Sequence, residues 1–486
     1  MARENERLLR ENEKLRDEAR RTAEETAEKI ADKDRQIAEL ERQLAGRKQN
    51  STNSSKPPSS DGLAGESRQR GRTSRARSGK KPGGQPGHAG KHRPQAPPER
   101  VNEFHTVLPA QCGRCGHGLG QRLEEVQTSG KVHRHQVIEV PPIAAHIVEY
   151  QCHQVVCPEC QKATRAAVPE EARRQTGPEL TALVSYLTVV CRMPRRVVEA
   201  LLEQMLGITV SLGNTQTCWE EASAAVADPC QELEEQLHLE PVLNIDETGW
   251  RTNGEKRQLW AFVAGTFVVY TIAKTRGSEL LARILGAVFE GILCSDRFSG
   301  YLKYHQGKGQ FCWAHLKRNI LGVLDFTKRT GTERFCRDAL AVHASLFRLW
   351  HKFRSGLIDR QQLLNRSVRL QKRLFVLAEA HLDDSDRQVR NLARAFFEHS
   401  GRLFTFLEHD GVEPTNNSAE RSLRTGVQWR KVCFGTRSGA GELATARLLT
   451  VTQTCRLHKR NPLQYLASAI RCHRRRHTAP SILPTK

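Results

Sequence analysis

The chain has 486 residues, with 76 Lys and Arg against 54 Asp and Glu, a formal net charge of +22 and a pI near 9.7. That length is too great for one core and predicts about two to four domains, while so large a positive surplus points to a polyanionic partner, nucleic acid first and an anionic membrane surface second. No apolar run reaches the roughly 18 residues needed to cross a bilayer, and MARENERLLRENEKLR is too charged for a signal peptide, so a soluble, intracellular protein is expected.

Residues 1–46 read as one long helix. Asn5, Leu8, Asn12, Leu15, Ala19, Ala23, Thr26, Ile30, Lys33, Ile37, Leu40 and Leu44 follow spacings of three and four, with a stutter at Ala19. The apolar positions predict a coiled coil and self-association. Residues 47–100 cannot build a core: NSTNSSKPPSSDG is polar and proline-rich, and SRQRGRTSRARSGKKPGGQPGHAGKHR is basic and glycine-rich. A basic disordered linker able to lie along phosphates is expected there.

Residues 101–172 carry two knuckles, Cys112-Gly-Arg-Cys115 and Cys157-Pro-Glu-Cys160. Thiolates two residues apart reach one ion, and two such pairs complete the tetrahedron of structural zinc. In a reducing compartment, cysteines are metal ligands or core residues rather than disulfides. Cys152 is the weaker alternative ligand. VHRHQVIEV (132–140) and AHIVEYQCHQVV (145–156) have the look of strands. Residues 173–240 are helical in pattern. Their short turn near Gly207 fits a helix-turn-helix-like DNA-binding module as well as it fits ordinary packed helices.

At 242 the period changes. VLNID, LWAFVAG (259–265) and FVVYTIA (267–273) are strands punctuated by Asn253-Gly254 and Gly265-Thr266. SELLARILGAVF (278–289) is a helix, and GILCSD (291–296) is a strand ending on Asp296. Strand, strand, strand, helix, strand is the opening order of a ribonuclease H-like fold, in which the first and fourth strands are neighbours. Asp246 and Asp296 then sit side by side at strand ends. Adjacent carboxylates repel unless a cation lies between them. Hard oxygen ligands select Mg2+ or Mn2+, and a two-ion site serves in-line attack at phosphorus.

A third carboxylate is needed, and Glu420 in EPTNNSAERSLRTGVQWRK is the candidate. Thr415, Asn416 and Asn417 resemble N-cap residues, so Glu420 falls in the first turns of a helix. Arg421, Arg424, Arg430 and Lys431 follow and are candidates to hold DNA phosphates. His315, Lys317 and Arg318 of CWAHLKRNI are expected on a helix in phosphate contact. Trp250 is either a core aromatic or a platform for a flipped base. Residues 241–318 and 411–460 form the expected catalytic core, 319–410 an all-helical insertion and 461–486 a basic tail.

NSTNSSKPPSSD, KKPGGQPGHAG, the two knuckles, NIDETGW, CSDRFSGY, CWAHLKR, EPTNNSAERSLR and WRKVCFGT together resemble the transposases of the insertion-sequence sixty-six family. The resemblance spans nearly the whole chain. It implies a multidomain α/β protein with a ribonuclease H-like core of the acidic-triad (DDE) class, acting on double-stranded DNA at element ends and target. It assigns the triad to Asp246, Asp296 and Glu420 with Mg2+ or Mn2+, and the knuckle positions to Cys112, Cys115, Cys157 and Cys160 with Zn2+. It also implies accessory proteins of the same element, a homo-oligomer and a cytoplasmic, nucleoid-associated location. The rival expectation is a DNA-binding regulator with an inactive nuclease-like core.

Overall fold

The computed structural model describes residues 94–483 apart from Lys328, together with helical positions scattered between Lys14 and Gln36. Most of the expected coiled-coil seam, including Asn5, Leu8, Asn12 and Leu44, lies outside the described residues, as does 47–93 of the expected linker. Thr26, Ile30 and Lys33 of the seam are helical and exposed. The chain divides into two units, one of residues 73–146 and the other of 1–72 with 147–486.

In the smaller unit, the segment after residue 94 runs beside residues 134–136. Gln95 Nε2 donates to the Arg134 carbonyl at 2.7 Å, and the Ala96 N–H donates to Gln136 Oε1 at 2.8 Å. The stretch 132–140, expected as a strand, is neither strand nor helix. Val132 and Val137 are each 84% exposed. The alternating pattern is present, but among the described residues no neighbouring backbone completes a ladder for it.

In the larger unit the expected strand over 145–156 is confined to β1 (Gln154–Val156), which pairs antiparallel with β2 (Ala163–Arg165). Four helices follow: α1 (Pro178–Val189), α2 (Arg195–Leu206), α3 (Leu212–Ala225) and α4 (Ala227–Gln236). Pro178 opens α1 where no intrahelical N–H is required. Ser211 caps α3, its hydroxyl accepting the Asn214 N–H.

A five-stranded mixed sheet comes next, formed by β3 (Val242–Thr252), β4 (Glu255–Val263), β5 (Val268–Ala273), β6 (Ile292–Ser295) and β7 (Gly309–Phe311). Its order is β5-β4-β3-β6-β7. β3, β4 and β5 pair antiparallel in succession, and β3-β6 and β6-β7 pair parallel. Asn253 and Gly254 take φ of +49° and +81°, the left-handed pair of a tight hairpin turn. On edge strand β5 the N–H groups of Val268 and Tyr270 are covered: they donate to Thr454 and Thr450, one turn apart on α13 (Gly439–Leu457).

Between β5 and β7 lie α5 (Ser278–Leu285) and α6 (Ser299–Tyr304). The expected helix over 278–289 ends at Leu285, where Gly286 takes φ +81°. After β7 come α7 (Trp313–Phe326), α8 (Thr330–Arg354), α9 (Arg360–Glu379), α10 (Arg387–Glu398) and α11 (Thr405–Glu408). They close a second core around Trp313, Phe335, Leu346, Phe396 and Phe406. α12 (Asn417–Cys433) and α13 return to the sheet core with Trp250, Trp260 and Leu281.

Residues 461–486, expected as a basic tail, contain α14 (Pro462–Arg474), which buries Leu466 and Ile470 in the sheet-side core. Arg474 donates twice to the buried Glu221 carboxylate, at 2.9 and 3.0 Å. The flanking arginines masked this apolar periodicity in the sequence. No helix among the described residues is long and apolar enough to cross a membrane.

Candidate active site

β3 does not end at Asp246 as expected. It runs on to Thr252, with Asp246 paired opposite Ala261 of β4. On its other side the parallel pairing with β6 covers only Val242–Asn244 against Ile292–Cys294. Carried two residues further, the same register sets Asp246 level with Asp296, just past the end of β6. Asp246 therefore stands where the sheet forks and one neighbour is lost. Asp296 accepts the Phe298 N–H at 2.8 Å, which fixes the turn into α6.

Glu420 reaches this fork through Asn416. Asn416 is buried, and its Nδ2 donates to the Ile245 carbonyl at 2.7 Å, one residue before Asp246. Its own N–H points to Cys312 Sγ at 3.2 Å, and the Trp313 N–H donates to the Pro414 carbonyl at 2.9 Å. The start of α12 is thus pinned to both β3 and the start of α7. Further along α12, Gly426 lets the helix lie against β4: a Cβ there would sit 2.3 Å from Leu259 Cδ2.

The electrostatics record the gathering of charge. The Asp246 carboxyl is held well above its ordinary value of 3.8, by burial first and then by the negative charges of Glu247, Asp296 and Glu420. The Glu247 N–H donates to Asp246 Oδ1 at 3.0 Å, a smaller opposing effect. Glu420 accepts from Arg318 Nη2 at 3.0 Å and lies 3.5 Å from His315 Nδ1. Burial, with Arg318 and Arg297 nearby, pushes His315 down to about 4, so it is neutral. Among the described residues, the ligand atoms of Asp246, Asp296 and Glu420 do not all approach within 4.8 Å, whereas those of Cys312, His315 and Glu420 do.

Glu247, Arg276 and Tyr301 take part as well, although the sequence assigns none of them a site role. Glu247, its side chain 1% exposed, accepts from Arg276 Nε and from the Tyr301 hydroxyl. The Arg276 guanidinium also stacks 4.0 Å from the Phe298 ring centroid. Burial raises the Glu247 carboxyl, and Tyr301 and Arg276 oppose that rise. Strand alternation was the available signal: consecutive carboxylates on one strand face opposite sides, so the second needs partners of its own.

A family model described as Transposase IS66 family matches residues 173–443, more than half the chain. The chain belongs to the IS66 transposase family. A second model, a family of unknown function (DUF6444), matches residues 4–94. Three similar proteins from Sinorhizobium fredii are described as uncharacterized. y4hP is 23% identical over 77% of this chain and 72% of its own length. y4jD is 24% identical over 70% and 73%, and y4qI is 26% identical over 44% and 43%, so the match spans under half of y4qI.

Trp250 is a core residue. It is 2% exposed, meets Trp429 edge-on at 6.4 Å and donates Nε1–H to Thr436 Oγ1 at 3.3 Å. That burial corrects the expectation of Trp250 as a DNA-binding residue, because its face is not open to a base. Lys317, Arg421, Arg424 and Lys431 are exposed, with no acidic partner among the described residues. Arg430 is half-buried over Gly249, its Nη1 3.4 Å from where a Cβ on that glycine would lie.

Each knuckle has the same local turn. The first cysteine's N–H donates to the carbonyl five residues on (His117, Lys162). Its carbonyl accepts from the residue four on, Gly116 or Gln161, each at positive φ. Backbone N–H groups of Cys115 and Arg114, and of Cys160 and Glu159, aim at the first sulfur and hold Cys112 and Cys157 below the usual thiol value.

Proposed function

We propose that this transposase cuts DNA at the ends of its element and joins the freed 3′-hydroxyl to target DNA, with Asp246, Asp296 and Glu420 as the catalytic carboxylates of a ribonuclease H-like core. The observation that carries this reading is that Asp296 and Glu420, both remote in sequence, lie near enough to Asp246, at the fork of a β5-β4-β3-β6-β7 sheet, for their charges to act on it. Burial first, and then the charges of Glu247, Asp296 and Glu420, raise the Asp246 carboxyl. The first and fourth strands of the sheet, β3 and β6, are neighbours, as the strand order implies.

The donor set fits magnesium or manganese. All three groups offer hard oxygens, and a cation offsets both the burial and the neighbouring negative charge that lift Asp246. Divalent ions bound there supply Lewis-acid stabilisation of attacking and leaving oxygens. The chain's own residues do the rest. Arg276 and Tyr301 neutralise and fix Glu247, so Asp246 is presented on a rigid strand. Arg318 balances Glu420 and is a candidate to transfer to a DNA phosphate. Lys317, Arg421, Arg424, Arg430 and Lys431 supply positive charge for the phosphate backbone. In the first step water attacks phosphorus and the 3′-oxygen leaves. In the second, that 3′-hydroxyl attacks a target phosphodiester and a second 3′-oxygen leaves.

In the same reading Cys112, Cys115, Cys157 and Cys160 are zinc thiolates, supported by the matching turn in each knuckle, and the N-terminal helix drives self-association. The test is Asp246→Asn with labelled element ends. Magnesium-dependent cleavage is lost and DNA binding is kept. Cleavage at the wild-type rate would remove Asp246 from the chemistry. Binding without cleavage by the wild type would instead favour a regulator.

A further inference from the structure

We propose that Cys312, His315 and Glu420 form a second, soft-metal site that takes Zn2+ and draws Glu420 away from the two aspartates. Cys312 immediately precedes α7 and His315 lies in its first turn, so a Cys-x-x-His pair faces the start of α12. One ligand atom from each of the three residues lies within 4.8 Å of the other two. Tetrahedral zinc places its ligands about 3.5 Å apart, so closure needs roughly 1 Å of side-chain adjustment.

Two independent features suit a metal. His315 Nδ1 is buried with no hydrogen-bond partner, 3.5 Å from Glu420 Oε1. Cys312 Sγ already receives the Asn416 N–H at 3.2 Å, which supports a thiolate there. Burial otherwise keeps the thiol protonated, up to about 11; metal binding releases that proton to solvent.

The donor set decides the ion. Sulfur, imidazole nitrogen and one carboxylate oxygen select zinc over magnesium, whereas Asp246 and Asp296 offer oxygen alone. Three protein ligands leave a fourth position open. Arg318, now 3.0 Å from Glu420, must swing aside; Arg297 is tied to Asn319 at 3.0 Å. Thiolate and carboxylate together balance the ion's charge. Zinc binding itself stands apart from the proposed chemistry, but its consequence, inhibition of magnesium-dependent cleavage, rests on Glu420 as the third catalytic carboxylate.

The test is titration of the full chain with Co2+, read by thiolate-to-cobalt charge-transfer absorption. The wild type should take up one more equivalent than Cys312→Ser, with a stronger thiolate band. His315→Gln should bind that equivalent at least tenfold more weakly, which covers the case of a Cys312→Ser chain that does not fold. Equal stoichiometry and equal spectra in all three would overturn the site. In magnesium cleavage assays, Zn2+ at a few equivalents should slow the wild type tenfold or more and leave the Cys312→Ser rate insensitive to zinc. Equal slowing of both would overturn the link to Glu420. A cobalt band in a wild type that never cleaves in magnesium alone supports the metal site and counts against the transposition chemistry.

Discussion

Asn416→Ala tests how the third carboxylate is delivered. The Asn416 amide donates to the Ile245 carbonyl at 2.7 Å in a buried setting, and its loss leaves that carbonyl unpaired. An orphaned buried acceptor costs about 1–3 kcal/mol. The same substitution removes Asn416 Oδ1, itself buried without a partner, which recovers part of that cost. A net loss of about 1–2 kcal/mol is expected, equivalent to a drop in Tm of roughly 2–8 °C at about 2–4 °C per kcal/mol. The larger effect should fall on cleavage. The Glu420 N–H bonds to the Asn416 carbonyl, so loosening that residue loosens the first turn that carries Glu420. A misplacement of about 1 Å costs on the order of 10²-fold. Asn416→Asp should be worse in both respects, because a carboxylate oxygen then faces the Ile245 carbonyl oxygen. Urea unfolding and single-turnover cleavage of labelled ends measure the two quantities. An alanine variant that cleaves at the wild-type rate with unchanged stability would refute the pin.

Asp246→Asn should raise Tm in chelator at neutral pH. The folded Asp246 value lies above the unfolded one, so its contribution is fully present below about 3.8 and is lost as pH rises through the raised folded value. Its removal should flatten the fall in wild-type Tm over that window, and the Mg2+-induced rise in Tm should grow with pH in the wild type only. His315→Gln should act on the acid side: His315 is pushed from 6.5 to about 4, so its stability is present above 6.5 and lost as pH falls toward 4. The slope of Tm over that range should lessen in the variant. Gly426→Val forces α12 off β4 against buried Leu259 and should cost about 1–3 kcal/mol; calorimetry reads it.

The strands were legible where apolar runs met turn residues, as in VLNID, LWAFVAG and GILCSD. The length of β3 was not, because DETGW reads as polar; yet alternation through Trp250 and Thr252 into the Asn253-Gly254 turn carried the signal. β7 is three residues long, too short for any periodicity to register. The two aspartates and Glu420 could be named from strand order and helix capping. Their supports could not. Tyr301 and Arg276 meet Glu247 across 54 and 29 residues, and Asn416 meets Ile245 across 171. Such pairings depend on tertiary packing that no local pattern encodes. Over 132–140 and 145–153 the apolar residues suit a strand, but a strand also needs a partner.

The most direct measurement is the anomalous difference density of crystals grown with Mn2+. Bound manganese between Asp246, Asp296 and Glu420, lost in Asp246→Asn, is the result this account requires. Manganese bound elsewhere, with none between those three carboxylates at saturating concentration, would contradict it.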